Sequence, residues 1–297
     1  MTILDKIVEK KIKEVAAAKI ITPYNHLEER EMFLREPLSF KKFLLDPERT
    51  GIIAEFKRKS PSKGIINDEV SVKDVTTAYA AAGASAISVL TDRHFFMGTK
   101  KDLLEARKFN DVPLLRKDFM IDEYQIVEAK TLGADIILLI AAILTPEQVK
   151  QFSALAKSIG LSVLLEVHNL EELQRSLCDN LDAIGVNNRN LADFTVSVET
   201  SFELAEHIPD GVMKISESAI SNTHVIKQLK QAGFNALLNW RKLYAPAKPW
   251  FSHGRICSGV EGVDSTHNHK YVIARNEAIS ELCMFACSTQ RLLRSSQ

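Results

Sequence analysis

The sequence predicts an α/β protein: a (β/α)8 barrel of the TIM type with an N-terminal helical extension and an atypical C-terminal tail. Three observations carry this expectation. Eight short apolar runs recur along the chain, amphipathic spacers of helix size separate them, and glycines punctuate the helix ends. The length of 297 residues suits such a barrel, which takes about 250. A doubly wound sheet is the competing arrangement, but it wants a glycine-rich turn after the first strand, and the sequence has none there.

Residues 1–50 form the helical extension. Thr2 and Asp5 make a T-x-x-D capping box, and Ile3, Leu4, Ile7, Val8, Ile12 and Val15 follow at helical spacing. Pro23, Pro37 and Pro47 break the remainder into short pieces. The barrel takes residues 51–244, with its eighth unit incomplete or altered. Its β-runs are Gly51–Phe56, Ser85–Leu90, Val112–Arg116, Asp135–Ile140, Leu161–Val167, Leu181–Val186, Val212–Ser216 and Asn235–Leu238. Most are apolar on both faces, as parallel strands covered by helices require. Ser71 caps one helix with Asp74 at its third position, and Thr145-Pro146-Glu147-Gln148 gathers a cap, a first-turn proline and a capping-box glutamine. Gly83, Gly133, Gly160 and Gly233 stand where helices end and a left-handed residue is favoured. Residues 245–297 form the tail, which opens with the proline-interrupted A-P-A-K-P-W-F-S-H-G. Within it, Tyr271 to Leu293 carries one helical face of Val272, Ile279, Leu282 and Ala286.

Composition excludes several classes. With 45% hydrophobic and 26% charged residues the chain reads as an ordinary soluble globular protein. The 38 basic residues balance 38 acidic ones, so there is no electrostatic footprint for nucleic acid or an acidic membrane. The longest apolar run, Ile136 to Leu144, is too short to span a bilayer. The amino end has no signal-peptide core, which points to the cytoplasm. Four cysteines without regular spacing argue against a disulfide framework or a zinc site, and the histidines show no ligand spacing, so no metal is expected. His94 reads as a loop residue and His168 as a neighbour of a strand end.

Barrel enzymes place their chemistry at the carboxyl ends of the strands. Side chains two apart share a face, so Glu55 and Lys57 point inward while Phe56 faces the helices. The same reading makes Lys117, Glu166, Asn187, Arg189 and Glu217 inward-facing. Three carboxylates and three cations in one cavity read either as a structural ion network or as a functional site. Desolvating six charges without a functional return is costly, which favours the second. Burial and like-charge neighbours also turn lysines and glutamates into general acids and bases.

The segments A-E-F-K-R-K-S-P-S-K-G, S-V-L-T-D-R-H-F-F-M-G, L-L-R-K-D-F, L-L-E-V-H-N, I-G-V-N-N-R-N-L and I-S-E-S together resemble the indole-3-glycerol phosphate synthase family over roughly residues 1–238. The resemblance implies ring closure, decarboxylation and dehydration of 1-(2-carboxyphenylamino)-1-deoxyribulose 5-phosphate in tryptophan biosynthesis. It implies Lys117 as general acid, Glu166 as the proton acceptor of the dehydration, and Glu55 as a carboxylate orienting the lysine and stabilising charge on the anilino nitrogen. Asn187 and Glu217 complete the catalytic set. Lys57, Ser60, Phe96, Arg189, Ser218 and Ala219 form the substrate-binding set, with Phe96 packing on the anthranilate ring. The partner is thus a small phosphorylated molecule, with no cofactor, nucleic acid or membrane, and a monomer is favoured.

Two departures from the family touch the phosphate. After strand seven the family has S-E-S-G, whereas this chain has Ser216-Glu217-Ser218-Ala219. Glycine takes a positive φ freely and alanine does not. After strand eight the family has a glycine and a small residue, whereas this chain has Asn239-Trp240-Arg241-Lys242. The alternatives are therefore an impaired or inactive barrel with a replaced C-terminus, acting at most as a binding protein, and a related phosphate-binding barrel isomerase. The isomerase pattern of Asp or Cys at strands one and five is absent, since Glu55/Lys57 and Glu166 stand there.

Overall fold

The computed structural model describes residues 2–190, 195–220 and 223–239. The expectations on Trp240, Arg241, Lys242 and the tail lie outside them. Eight parallel strands close into a barrel: β1 (Ile52–Phe56), β2 (Ala86–Leu90), β3 (Leu114–Lys117), β4 (Ile136–Ile140), β5 (Ser162–Val167), β6 (Ala183–Asn187), β7 (Met213–Glu217) and β8 (Ala236–Asn239). Each expected run becomes a strand, with ends moved by one or two residues. The largest shifts, two residues at the start, are at β3 and β6; β3 starts after Pro113, a residue with no N–H to give to a ladder. β8 pairs with β7 on one side and with β1 on the other, Leu237 opposite Ile52 and Leu238 opposite Ile53. The eighth strand therefore closes the cylinder through Asn239, where the sequence begins to diverge.

The expected punctuation is present. Thr2/Asp5 and Thr145/Gln148 form complete capping boxes, Ser71 accepts from the Asp74 N–H, and Gly83, Gly133, Gly160 and Gly233 all take positive φ. Helices Val72–Ala81, Lys100–Phe109, Glu123–Thr131, Pro146–Ser158, Leu170–Ser176, Glu199–Ala205 and Thr223–Gln231 alternate with the strands. No helix among the described residues is long and apolar enough to cross a membrane.

The core has two shells. Phe56, Val89, Ile137, Leu139, Val163, Leu165 and Val186 face outward and pack against the helices. Ile53, Leu115, Leu138, Leu164, Ile215 and Leu238 fill the barrel interior. Helix α1 (Ile3–Ile21) belongs to the interior shell too, because Ile7 packs into it and Ile3 and Leu4 lie against it. This helix thereby roofs one side of the barrel mouth.

Candidate active site

On four strands the last inward side chain is charged and the one two residues earlier is apolar: Ile53 then Glu55, Leu115 then Lys117, Leu164 then Glu166, Ile215 then Glu217. Period-two geometry thus lays a floor of aliphatic side chains beneath a ring of ionic ones. These charged residues, with Lys57, Ser60, Phe96, Asn187, Arg189 and Ser218, line one cavity. It holds about 1010 Å3 of empty space, open solvent at its mouth included. Ile3, Leu4 and Ile7 of α1 form part of its wall. Of the eleven residues expected at the site, ten line this cavity; the remaining one, Ala219, follows Ser218 just beyond the end of β7.

Lys117 sits at the centre. Its Nζ donates to Glu166 Oε2 at 2.8 Å and to Glu217 Oε2 at 2.9 Å. Lys57 Nζ pairs with Glu55 Oε1. The lysine that Glu55 holds is therefore Lys57; Lys117 is held by the other two carboxylates. Asn187 Nδ2 donates to Glu166 Oε1 at 2.9 Å, while Asn187 Oδ1 accepts from Ser218 Oγ at 3.0 Å and from the Arg189 N–H at 3.1 Å. Phe96 stacks at a tilt on Phe119, with ring centroids 5.9 Å apart.

Electrostatics split the two carboxylates around Lys117. Burial raises Glu166, yet Lys117 and His168 outweigh it and hold this carboxyl well below the usual range. Glu217 is 2% exposed, and burial with the Glu166 charge outweighs Lys117, pushing it up to about 7. Lys57 is lowered, because burial and the like charges of Lys117 and Arg189 exceed the pull of Glu55. Burial alone would lower Lys117, but Glu166, Glu217 and Glu55 hold it above the ordinary lysine value. Two buried polar atoms of the cavity residues, Glu217 Oε1 and Ser60 Oγ, have no hydrogen-bond partner among the described residues, as expected of groups that meet a ligand.

Gly185 makes room for this arrangement. It is an inward position of β6, and a Cβ there would collide with Glu217 Oε1. At the end of β7 the backbone turns through two left-handed residues, Ser218 at φ 63° and Ala219 at φ 59°. Alanine therefore occupies the conformation that glycine adopts freely.

Several residues escaped the sequence reading. Lys11 of α1 is 4% exposed and meets Glu14 Oε2, Asp92 Oδ2 and Asp118 Oδ1 at 2.8, 3.0 and 2.9 Å. It ties α1 to the residue that caps the Phe96 helix, Arg93–Phe96, and to the residue after Lys117. Asn188 buttresses β7 from behind, donating to Ser216 Oγ and to the Glu217 carbonyl at 2.9 Å each. Arg58, between the two lysines of K-R-K, turns away from the cavity to a two-pronged pair with Asp102 at 2.7 and 3.1 Å. His168 Nε2 lies 3.4 Å from Glu166 Oε1, and its Nδ1 lies 3.0 Å from Glu172 Oε2. Buried Lys11 and half-buried Arg58 carry no local signal of Asp92, Asp118 and Asp102, since these are far away in sequence. Among the described residues, no group of His, Cys, Asp or Glu is placed to hold a metal ion.

Comparison with known proteins points to one family. The family model described as indole-3-glycerol phosphate synthase matches residues 4–245. An indole-3-glycerol phosphate synthase of Bacteroides thetaiotaomicron is 46% identical over 236 residues, covering 80% of this chain and 90% of the relative. Those of Chloroherpeton thalassium and Chlorobium limicola are each 44% identical, covering 80% of this chain and 93% of theirs. Among solved structures, one described as native KDPGal superposes with a TM-score of 0.52 at 11% identity, covering 83% of this chain and 96% of that one. A mandelate oxidase variant superposes with a TM-score of 0.53 at 14% identity, covering 82% and 72%. At these identities the two structures speak for the barrel alone.

Proposed function

The chain belongs to the indole-3-glycerol phosphate synthase family, and on that premise we propose that its barrel mouth closes the indole ring of 1-(2-carboxyphenylamino)-1-deoxyribulose 5-phosphate. The ring carbon bearing the carboxylate attacks the ribulose ketone, forming the C–C bond while the carbonyl oxygen takes a proton. Carbon dioxide then leaves and restores the aromatic ring. Loss of the new hydroxyl as water, with a proton from the adjacent methylene carbon that the sugar contributed, completes the indole, which keeps its N–H. The observation that carries this reading is Lys117, an ammonium held between Glu166 and Glu217 above an aliphatic floor.

In this scheme Lys117 supplies the proton to the ketone oxygen. Its raised pKa is no obstacle, because the alkoxide that forms is more basic than any ammonium, and the fixed charge stabilises the oxyanion as it develops. Glu166, kept ionised, accepts the proton released in the dehydration. Glu217, poised near neutrality, exchanges a proton with Lys117 between steps. Glu55 and Lys57 together face the anilino nitrogen and the substrate carboxylate. Phe96 and the aliphatic residues of α1 cover the anthranilate ring, while Ser60, Arg189, Ser218 and Ala219 take the sugar and phosphate end.

A finer point rests on Ala219 at φ 59°. Backbone N–H groups at a left-handed turn cradle phosphate best when glycine relaxes them. An alanine there weakens the phosphate grip and raises KM more than it lowers kcat, since a remote phosphate provides largely uniform binding. Incubating the purified protein with the carboxyphenylamino-deoxyribulose phosphate should yield indole fluorescence. Folded protein giving none at saturating substrate would overturn the reading and leave a barrel that only binds.

A further inference from the structure

Glu166 and Glu217 share the Lys117 ammonium at nearly equal distances, 2.8 and 2.9 Å, and both are almost fully buried. Lys117 therefore cannot decide which of them holds a proton. The difference lies at the second oxygen of each. Glu217 Oε1 points toward Gly185 and has no hydrogen-bond partner among the described residues. Glu166 Oε1 accepts from Asn187 and also faces the Nε2 of His168 at 3.4 Å. That distance is the reach of an ion pair rather than of a well-formed hydrogen bond.

His168 is itself held. Its side chain is 9% exposed, and Glu172, one turn into the helix Leu170–Ser176, accepts from the His168 backbone N–H at 2.8 Å and meets Nδ1 at 3.0 Å. The ring is thus hydrogen-bonded at Nδ1 to the carboxylate of the following helix, while Nε2 makes no hydrogen bond among the described residues and faces Glu166 at ion-pair distance. The remaining neighbours on this side are Thr2 and Leu4 of α1, Ala142 after β4, Asn169, and Arg189, which line a second hollow beside the main cavity. Among the described residues that line it, Arg189 is the other charged group besides Glu172 and His168 itself, and Arg175 acts on Glu172 from its own helix. An imidazole between two carboxylates carries its proton at neutral pH, and burial, which would lower it, is outweighed so that it titrates at about 9.

Resting on the ring-closure reading above, we propose that His168 is a positioning residue for the reaction: as an imidazolium seated between Glu166 and Glu172, it keeps Glu166 ionised and so leaves the exchangeable proton to Glu217. The two carboxylates thereby acquire separate roles although they share one lysine. Glu172 acts through His168 by fixing the ring plane.

The test is the pH profile of kcat in His168→Phe, His168→Gln and Glu172→Gln. In His168→Phe, Glu166 loses a cation, so the acid limb of kcat should move upward by about one pH unit, with turnover failing at a higher pH than in the parent on acidification and recovering toward neutral pH. KM should change less than about threefold, because His168 lies beside the cavity rather than in it. His168→Gln, which keeps a donor without the charge, should move the limb less, and Glu172→Gln should move it in the same direction. A profile that superimposes on the parent, or a kcat reduced by one factor at every pH alongside a lower melting temperature, would show a structural prop and overturn the proposal. Should the parent protein form no indole, the functional reading fails, and NMR titration of the His168 ring still decides this one. Its pKa should fall in Glu166→Gln; an unchanged value overturns the link.

Discussion

Two largely buried ion clusters, the outer one ending on the exposed Lys100, lie back to back around β3. The outer one, beneath α1, joins Lys11, Asp92, Asp118, Arg116, Glu128 and Lys100. The inner one, in the cavity, joins Lys117, Glu166, Glu217, Glu55 and Lys57. Successive residues, Lys117 and Asp118, belong to different clusters because the strand sends them to opposite faces. In the outer cluster the charges are matched. Arg116 also donates to the Gln125 carbonyl and to Thr91, and Asp118 is held well below the usual carboxylate range, its burial outweighed by Lys11 and Arg116. In the inner cluster a carboxylate titrates at about 7, a lysine is lowered, and Glu217 Oε1 has no hydrogen-bond partner among the described residues. Similar residue types thus make a structural clamp in one place and, in the other, a site whose carboxylate and lysine are pushed toward their neutral forms.

Substitutions on either side should behave oppositely. The largest effect is expected for Lys117→Met, which should lower kcat by about 10^3-fold or more, within the range of general acid catalysis combined with oxyanion stabilisation. Its melting temperature should fall less than that of Lys11→Met. In Lys11→Met three carboxylates lose their common cation, and breaking a buried pair costs about 3–5 kcal/mol. Denaturant unfolding should report that loss, and indole formation should persist at a temperature where the variant is folded. Equal loss of turnover in both would break the distinction between clamp and site.

A smaller effect is expected from pH on stability. The His168 pKa is raised from 6.5 to about 9. Its contribution is therefore complete below pH 6.5 and is lost as pH rises toward about 9. Unfolding free energy should drop by on the order of 1–2 kcal/mol across that window, and His168→Phe should flatten the slope. Smallest is Ala219→Gly, which should relieve a left-handed alanine worth about 1 kcal/mol and lower KM with kcat nearly unchanged. A KM that does not move would separate the strained turn from the phosphate grip.

Much of this was legible in the residues themselves. Every strand, the capping boxes at Thr2 and Thr145 and the inward direction of Glu55, Lys57, Lys117, Glu166 and Glu217 follow from periods of two and of 3.6 and from turn chemistry, which are local properties of the chain. The motif resemblance then attached a reaction to those positions. Closure of the cylinder by Ala236–Asn239, beside a sequence that departs from the family, had to come from pairing with β1 and β7. Likewise Lys11 looks like any helical lysine until Asp92 and Asp118 arrive from 81 and 107 residues away. His168 reads as a residue just past a strand until Glu172 and Glu166 bracket its ring.

Pattern alone determined the barrel, its direction and the identity of the charges at its mouth, because side-chain alternation and capping are set by near neighbours. Only the tertiary structure decided which charge answers which. Burial and distance across the barrel set the proton affinities, and neither is a property of a linear sequence.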